Sequence, residues 1–150
     1  MSITDRLADL GVTLPDAPAP AANYVPAVRT GDLLFVSGQI SNGPDGMIKG
    51  RLGDGMSIED GAAAARACAI SLLAQVKAAT GDIETLEQVV KLTAFVNCTP
   101  DFGDQPKVVN GASDFLVEAL GDKGRHARSA VGASLPFGVA VEIEGIFRVK

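Results

Sequence analysis

The chain has 150 residues, of which 47% are hydrophobic and 21% charged, and its formal net charge is −5; this is the profile of one globular domain. An acidic chain without a lysine or arginine cluster lacks the basic surface that non-specific nucleic-acid binding needs, so we expect no nucleic-acid partner. One histidine and two separated cysteines predict no zinc site, and the absence of a signal peptide or a membrane-length apolar run predicts a cytoplasmic protein.

The first third of the chain is predicted to form a short helix, a loop and a hairpin. Apolar residues at helical spacing predict a helix over residues 2–10. The Pro/Ala-rich segment 15–20 must be extended, so residues 1–22 are read as an N-terminal extension. Strand-like runs at 24–30 and 33–39 flank Gly31-Asp32, which indicates a hairpin, and a turn with a short return strand follows.

The remainder predicts two long helices among three further strands. Ser57 followed by Asp60 is typical of a capping box, and the helix that it opens ends before Gly81. Pro106 suits the first turn of a second long helix, and Gly121 lies just past its end. The strands are predicted at 89–96, 127–134 and 139–149.

This order of elements predicts an α+β fold in one domain, residues 1–150, with a single mixed β-sheet and both long helices packed on one face. The strand at 89–96 is apolar on both sides. Its pattern places Val90, Leu92, Ala94 and Val96 on one face and Val89 and Phe95 on the other. Since the helices cover only one face, we expect another copy of the chain to cover the second, and therefore a homo-oligomer.

The end of the chain carries the residues best suited to chemistry. Glu142 and Glu144 share one face of an otherwise apolar strand, and Arg128 lies one strand earlier. One interpretation is structural: the glutamates face solvent, and Arg128 forms an ion pair, with Glu142 itself as a candidate partner. The other is functional: Arg128 binds the carboxylate of a small molecule while a glutamate with a raised pKa moves protons.

Several further residues have two interpretations each. Gly38, after Ser37, either allows close approach of a ligand or marks a bulge. The ring of Tyr24 is expected to pack, and Asn110 to face solvent or hold a loop. His126 is read as a residue at the start of a strand rather than a catalytic base, because no Ser/His/Asp pattern surrounds it. Cys68 and Cys98 are read as small hydrophobic residues.

Taken in order, these segments resemble a known family. They are Tyr24-Val25, Phe35-Val36-Ser37-Gly38-Gln39-Ile40, Val90-Lys91-Leu92-Thr93-Ala94-Phe95-Val96, Asn110, Ala127-Arg128-Ser129-Ala130-Val131, Leu135-Pro136 and Val141-Glu142-Ile143-Glu144-Gly145-Ile146. From residue 23 to 149 the chain resembles the RidA family (also YjgF or L-PSP) of enamine/imine deaminases.

The resemblance implies a chorismate-mutase-like fold and a homotrimer whose sheets form a central barrel, with clefts between subunits. It implies hydrolysis of reactive enamines and imines, such as 2-aminoacrylate, to 2-keto acids and ammonia, without a cofactor or metal. Arg128 would hold the substrate carboxylate and Glu142 would position or activate water. Tyr24, Ser37, Gly38 and Asn110 would line the cleft.

The chain departs from the family pattern in two ways. Ala130 stands where many members have a cysteine, so a reactive thiol is excluded at that position, and the segments before Asn23 and at 50–57 are longer than in compact members. Two other functions stand beside the deaminase: a non-catalytic binder of small carboxylates, and the ribonuclease that the name L-PSP suggests. The acidic charge disfavours the ribonuclease.

Overall fold

A computed structural model describes all 150 residues. Its three helices and seven strands follow in chain order: α1 (Ile3–Asp9), β1 (Ala27–Thr30), β2 (Leu33–Ile40), β3 (Asn42–Gly43), β4 (Gly46–Met47), α2 (Ile58–Thr80), β5 (Leu86–Asn97), α3 (Gln105–Leu120), β6 (Ala127–Ala133) and β7 (Val141–Val149). Three short 3₁₀ turns cover Ile83–Thr85, Gly121–Gly124 and Pro136–Gly138.

One five-stranded sheet organises the fold. Its strand order is β1-β2-β7-β5-β6, and only the β5–β6 pair is parallel. The hairpin predicted at Gly31-Asp32 joins β1 to β2, and β3 and β4 form a separate small hairpin. Both long helices pack on the same face, α2 against β2 and β7, and α3 against β5 and β6. The predicted α+β class, with one mixed sheet and two helices on one face, is therefore confirmed.

Helix α2 forms the centre of the core. Ser57 is the N-cap of α2 and accepts the backbone N–H of Asp60, which is one half of the predicted capping box; the return bond from the Ser57 N–H to the Asp60 side chain is not formed. Gly81 ends the helix in the left-handed conformation, as the sequence predicts. By length and composition α2 could cross a bilayer, but more than half of its most apolar stretch is buried inside the domain. Its small buried residues, such as Ala65 and Ala69, let it lie close on the sheet.

The strand bounds differ from the prediction where the ladder is interrupted. β1 begins at Ala27 rather than at Tyr24, because β2 bulges beyond Val36 and the Ala27–Val36 pair is the last of the hairpin. β7 begins at Val141 rather than at Val139, since Val139 instead forms a bridge with Lys49.

A bulge in β5 reverses the predicted faces of its first residues. Val89 opposes Phe147 and Lys91 opposes Ile146, so Val90 is left without a partner. Val89 therefore joins Leu92 in the core, and Val90 is exposed. The prediction that Val90 shares a face with Leu92 was wrong, because one inserted residue shifts the alternation of every residue before it.

The sheet face opposite the helices is open and partly apolar. Val28, Phe35 and Val131 are 53%, 44% and 46% exposed on it. The expectation of an uncovered second face is thus met in the single chain. Exposed apolar groups grouped in this way are typical of surfaces that associate with protein, and the homo-oligomer stays a prediction.

The N-terminal extension is fixed to the domain at several points. Ile3 and Leu7 of α1 are buried in the common core. The first turn of α1 donates the N–H groups of Ile3 and Thr4 to the Glu84 carboxylate, each at 2.9 Å. A carboxylate from another element thus stabilises the N-terminal end of this short helix.

Gly111 provides a direct test of how closely α2 and α3 pack. A Cβ at this position would lie 2.0 Å from the Ala62 carbonyl oxygen. Helix propensity alone predicts that Gly111→Ala stabilises the protein. We expect the opposite, a loss of about 1–3 kcal/mol in the free energy of unfolding, because the helices must move apart. Chemical denaturation measures this.

The matched control is Gly103→Ala, because a Cβ there meets nothing within 4 Å. We expect it to change the free energy of unfolding by less than about 0.5 kcal/mol. A Gly111→Ala protein at least as stable as the parent would contradict the close helix packing described here.

Candidate functional site

Glu142 lies against a bulge at the end of β2. In the ladder it stands opposite Ile40 of β2 and Phe95 of β5, on the open face. The β2 register shifts between Val36 and Gln39, so Ser37 and Gly38 form a bulge. A Cβ on Gly38 would lie 2.8 Å from Glu142 Oε2. The interpretation of Gly38 as part of a bulge is therefore confirmed, and its missing side chain leaves room for the Glu142 carboxylate. Close approach of a ligand at Gly38 stays a prediction.

Ser37 ties Tyr24 to the same place. Its hydroxyl donates to the Val25 carbonyl and its backbone N–H donates to the Pro26 carbonyl, both at 2.9 Å. Tyr24, which precedes Val25, is 46% exposed, and its hydroxyl accepts the Ala21 N–H at 3.3 Å. The ring is thus largely uncovered in the single chain, and its packing stays a prediction. We call Ser37, Gly38 and Glu142 the Glu142 half-site, and we include Tyr24 because it precedes Val25, whose carbonyl Ser37 binds.

A buried amide network holds the bulge from behind. The Gln39 side chain donates to the Ser37 carbonyl at 3.0 Å, and its oxygen accepts from Gln75 of α2 at 3.3 Å. Gln75 also donates to the Pro18 carbonyl at 2.8 Å. A bulge frees backbone groups from the ladder, and buried groups need partners. The network supplies one and connects the N-terminal extension to the Glu142 half-site.

The environment of Glu142 favours its protonated form. Burial raises the pKa of Glu142, and the negative charge of Glu144 on the same face raises it further. Glu144 itself is exposed. A raised pKa increases the share of the carboxyl group that carries a proton, which is the form that an acid catalyst needs.

Arg128 lies at the other edge of the sheet and has only neutral partners. Its Nη1 donates to Ser113 Oγ at 2.9 Å and its Nη2 to the Pro106 carbonyl at 3.1 Å, both on α3. No ion pair of the chain includes Arg128, so the predicted alternative of an ion pair with Glu142 is not formed. The neighbouring Arg125, by contrast, is exposed and pairs with Asp122 at 3.5 Å.

Arg128 and Glu142 lie on opposite faces of the sheet. Arg128 stands opposite Leu92, which is buried under the helices, whereas Glu142 stands opposite Phe95 on the open face. Strand β5 separates β6 from β7, which adds about 10 Å of lateral distance. The two residues that the sequence joins in one site do not converge within one chain.

Asn110 belongs with Arg128. It is exposed on α3, one helical turn after Pro106 and one before Ser113, so it lies along the same side of the helix as both partners of Arg128. Asn110 and Arg128, with Ser113, Pro106 and His126, are called the Arg128 half-site below.

The sequence did not reveal the roles of Ser113 and His126. His126 Nε2 is 2.9 Å from Ser113 Oγ, and its Nδ1 is 2.6 Å from the Gly124 carbonyl. Burial lowers the pKa of His126, and the nearby charge of Arg128 lowers it further. No acid contacts the ring and Ser113 is occupied by Arg128, so this is not a nucleophilic triad. The only sequence signal was the single-turn spacing of Asn110 and Ser113.

The cysteines behave as the sequence predicts. Cys68 is fully buried, and burial raises the pKa of its thiol well above the usual range. Its Sγ lies 3.5 Å from the Val141 carbonyl. Cys98 is half-buried beside Gln105. Neither cysteine lies in the half-sites as a ready nucleophile.

Comparison with known proteins places the fold in a family. A model of the family described as "YjgF/chorismate mutase-like, putative endoribonuclease" matches residues 4–138. Protein TCP17 of Trypanosoma cruzi is 48% identical, over 99% of this chain and 94% of that protein. The protein Atu1372 of Agrobacterium tumefaciens, described as of unknown function, is 44% identical, with a TM-score of 0.91 over 99% of this chain and 92% of that one.

A third similar structure is TdcF of E. coli, solved with bound serine. It is 29% identical, with a TM-score of 0.63 over 89% of this chain and 93% of its own. The matched family model spans both half-sites except for Glu142 and the rest of β7. The chain belongs to the YjgF/chorismate mutase-like family.

Proposed function

We propose that this protein hydrolyses small enamines and imines that carry a carboxylate, releasing 2-keto acids and ammonia. The observation that carries the proposal is the half-buried Arg128, which is held by neutral groups and neutralised by no acid of its own chain. Two of the five N–H groups of a guanidinium are used there, so three remain for a ligand. The serine bound to TdcF, a structure similar to this chain, supports a small ligand with a carboxylate.

The chemistry requires a group that takes and returns a proton. Water adds to the imine carbon and its proton passes to nitrogen; the C–N bond then breaks, the C=O bond forms and ammonia leaves. Glu142, whose pKa is raised by burial, suits both transfers. Arg128 binds the carboxylate and so retains the substrate in the site. Ala130 supplies no thiol at its own position, and this hydrolysis needs none.

This proposal requires two copies of the chain for one site, because the half-sites lie on opposite faces. The β6 edge of one copy would meet the β1–β2 region of the next. Since the two contacting surfaces differ, the proposed arrangement is head-to-tail, and a closed site in every copy requires that it form a ring rather than an open filament. The exposed Val28, Phe35 and Val131 would then face the copies across the centre. A homotrimer with three shared clefts is the form that we propose.

The main rival is a non-catalytic binder of small carboxylates, which the bound serine of TdcF also suits. It needs Arg128 but makes little use of a proton-transfer group. The endoribonuclease in the family description is a weaker candidate, because the net charge of −5 opposes binding of a polyanion. RNA binding at low salt would favour it over both.

The proposed role of Arg128 is tested with imines generated in situ by an amino-acid oxidase. We expect Arg128→Ala to lower kcat/KM by roughly 100-fold, the effect of losing a charge-assisted hydrogen-bond pair. The matched control is Arg125→Ala, three residues earlier, whose side chain is exposed and pairs only with Asp122. It should retain kcat/KM within about twofold. Equal rates for the two variants would rule out the assigned role.

The proposed role of Glu142 predicts opposite effects on activity and stability. Glu142→Gln should lower kcat by roughly 100-fold or more, with carboxylate binding retained. Because the folded-state pKa of Glu142 is raised, the wild-type protein loses stability as pH rises through that pKa. The variant has no such group, so we expect its melting temperature to exceed that of the wild type near about pH 8 and to match it near about pH 4.

Thermal unfolding at the two pH values measures the second effect, with Glu144→Gln as the matched control on the same strand face. Glu144 is exposed, so its own replacement should affect stability only by relieving Glu142 of a nearby charge. A Glu142→Gln protein that is less stable than the wild type near about pH 8 would show that the charged carboxylate stabilises the fold, contrary to this account.

A further inference from the structure

Arg128 is held by a chain of hydrogen bonds that reaches beyond the residues assigned to substrate. Ser113 accepts from Arg128 at 2.9 Å and lies 2.9 Å from His126 Nε2. His126 Nδ1 lies 2.6 Å from the Gly124 carbonyl. The contact with Gly124 decides which atom donates in each of these hydrogen bonds, since a carbonyl oxygen can only accept.

The hydrogen positions follow from that constraint. Nδ1 must carry the hydrogen that binds Gly124, and in a neutral ring Nε2 is then an acceptor. Ser113 therefore donates its hydroxyl hydrogen to His126, which turns the oxygen lone pairs toward Arg128. Burial and the charge of Arg128 lower the pKa of His126, against the opposing effect of the Gly124 hydrogen bond, and this net shift favours the neutral ring. Every donor in this series of hydrogen bonds, from the Arg128 guanidinium to the Gly124 carbonyl, thus has one acceptor.

We propose that Ser113 and His126 are positioning residues that fix the guanidinium of Arg128 for the substrate carboxylate. The proposal rests on the function proposed above, because it assigns these residues to that site. The Gly124 carbonyl and the Pro106 carbonyl are backbone groups on fixed elements, so the guanidinium is anchored at both ends of its fork.

Neutral partners have a specific advantage over an acid. A carboxylate in the place of Ser113 would fix Arg128 equally well, but it would also offset the positive charge that the ligand requires. The Ser113–His126 pair orients the side chain and leaves its charge uncompensated. The loss in rotamer entropy on ligand binding is also reduced, because the side chain is already ordered.

Kinetics and binding separate this role from a catalytic one. Arg128 binds the carboxylate equally in the ground state and the transition state, so loss of its orientation should raise KM and leave kcat nearly unchanged. We expect Ser113→Ala and His126→Leu each to raise KM for imines, and the Kd of pyruvate as a probe, by roughly tenfold. Ser113→Thr keeps the hydroxyl and His126→Gln can place an acceptor near Nε2, so both should restore values near the wild type.

NMR tests the same arrangement without any activity. His126 is the single histidine of the chain, so its two ring nitrogens give unambiguous ¹⁵N signals. We expect the Nδ1–H form with an unprotonated Nε2. The guanidinium signals of Arg128 are identified by their absence from the spectrum of Arg128→Ala. At low temperature we expect these signals to be sharp in the wild type, and to be averaged by rotation of the guanidinium in His126→Leu.

The outcomes are distinguishable from those of the proposed function. A wild-type protein that neither hydrolyses imines nor binds pyruvate would remove the proposed function, and the guanidinium signals would then decide the orientation by themselves. An Nε2–H form of His126, or unchanged Arg128 signals together with unchanged KM and Kd in His126→Leu and Ser113→Ala, would overturn the positioning role. Equal loss in the conservative and non-conservative variants would overturn it as well.

Discussion

Successive side chains of a β-strand point to opposite faces of the sheet, and this constraint decides where the chemistry of this protein can occur. Arg128 is paired with Leu92 in the β5–β6 ladder and therefore lies on the helix side of the sheet. Glu142 is paired with Phe95 in the β5–β7 ladder and therefore lies on the open face. One chain therefore keeps its free cation apart from its proton-transfer group. The same alternation leaves apolar residues such as Phe35 on the open face. The alternation of side chains therefore accounts both for the apolar surface on which copies of the chain would associate and for a site that requires two copies.

The Glu142 half-site depends on an interruption of that regularity. The bulge at Ser37 and Gly38 makes room for a carboxylate next to the backbone. The interruption frees polar groups inside the protein, and Gln39, itself held by Gln75, binds one of them, the Ser37 carbonyl. Because Gln75 also binds the Pro18 carbonyl, the N-terminal extension supports the bulge rather than merely preceding the domain. Neutral groups thus support both half-sites: Gln39 and Gln75 hold the bulge beside Glu142, and Ser113 and the Pro106 carbonyl hold the side chain of Arg128.

Much of this architecture could be predicted from the sequence, since caps and turns are local signals. Ser57 and Gly81 bound α2 as expected, and unbroken alternation in β7 gave the correct face for Glu142. Val90 was assigned to the wrong face because nothing in a hydrophobic pattern reveals a one-residue bulge. The role of His126 was missed for a different reason. It depends on a contact with Ser113 of α3, and such contacts between distant elements carry no local signal.

The separation of Arg128 and Glu142 was also beyond the sequence, because it depends on the register of three neighbouring strands. It makes the shared site the central claim of this account, and activity restored by mixing two inactive variants tests it most directly. Arg128→Ala and Glu142→Gln chains would be unfolded together, refolded as mixed oligomers and assayed with imines. If each site takes Arg128 from one copy and Glu142 from the next, an equal mixture should regain about a quarter of the wild-type activity, since one pairing in four has both intact residues. Activity no higher than that of the separately refolded variants, in oligomers shown to be mixed, would contradict a site shared between copies.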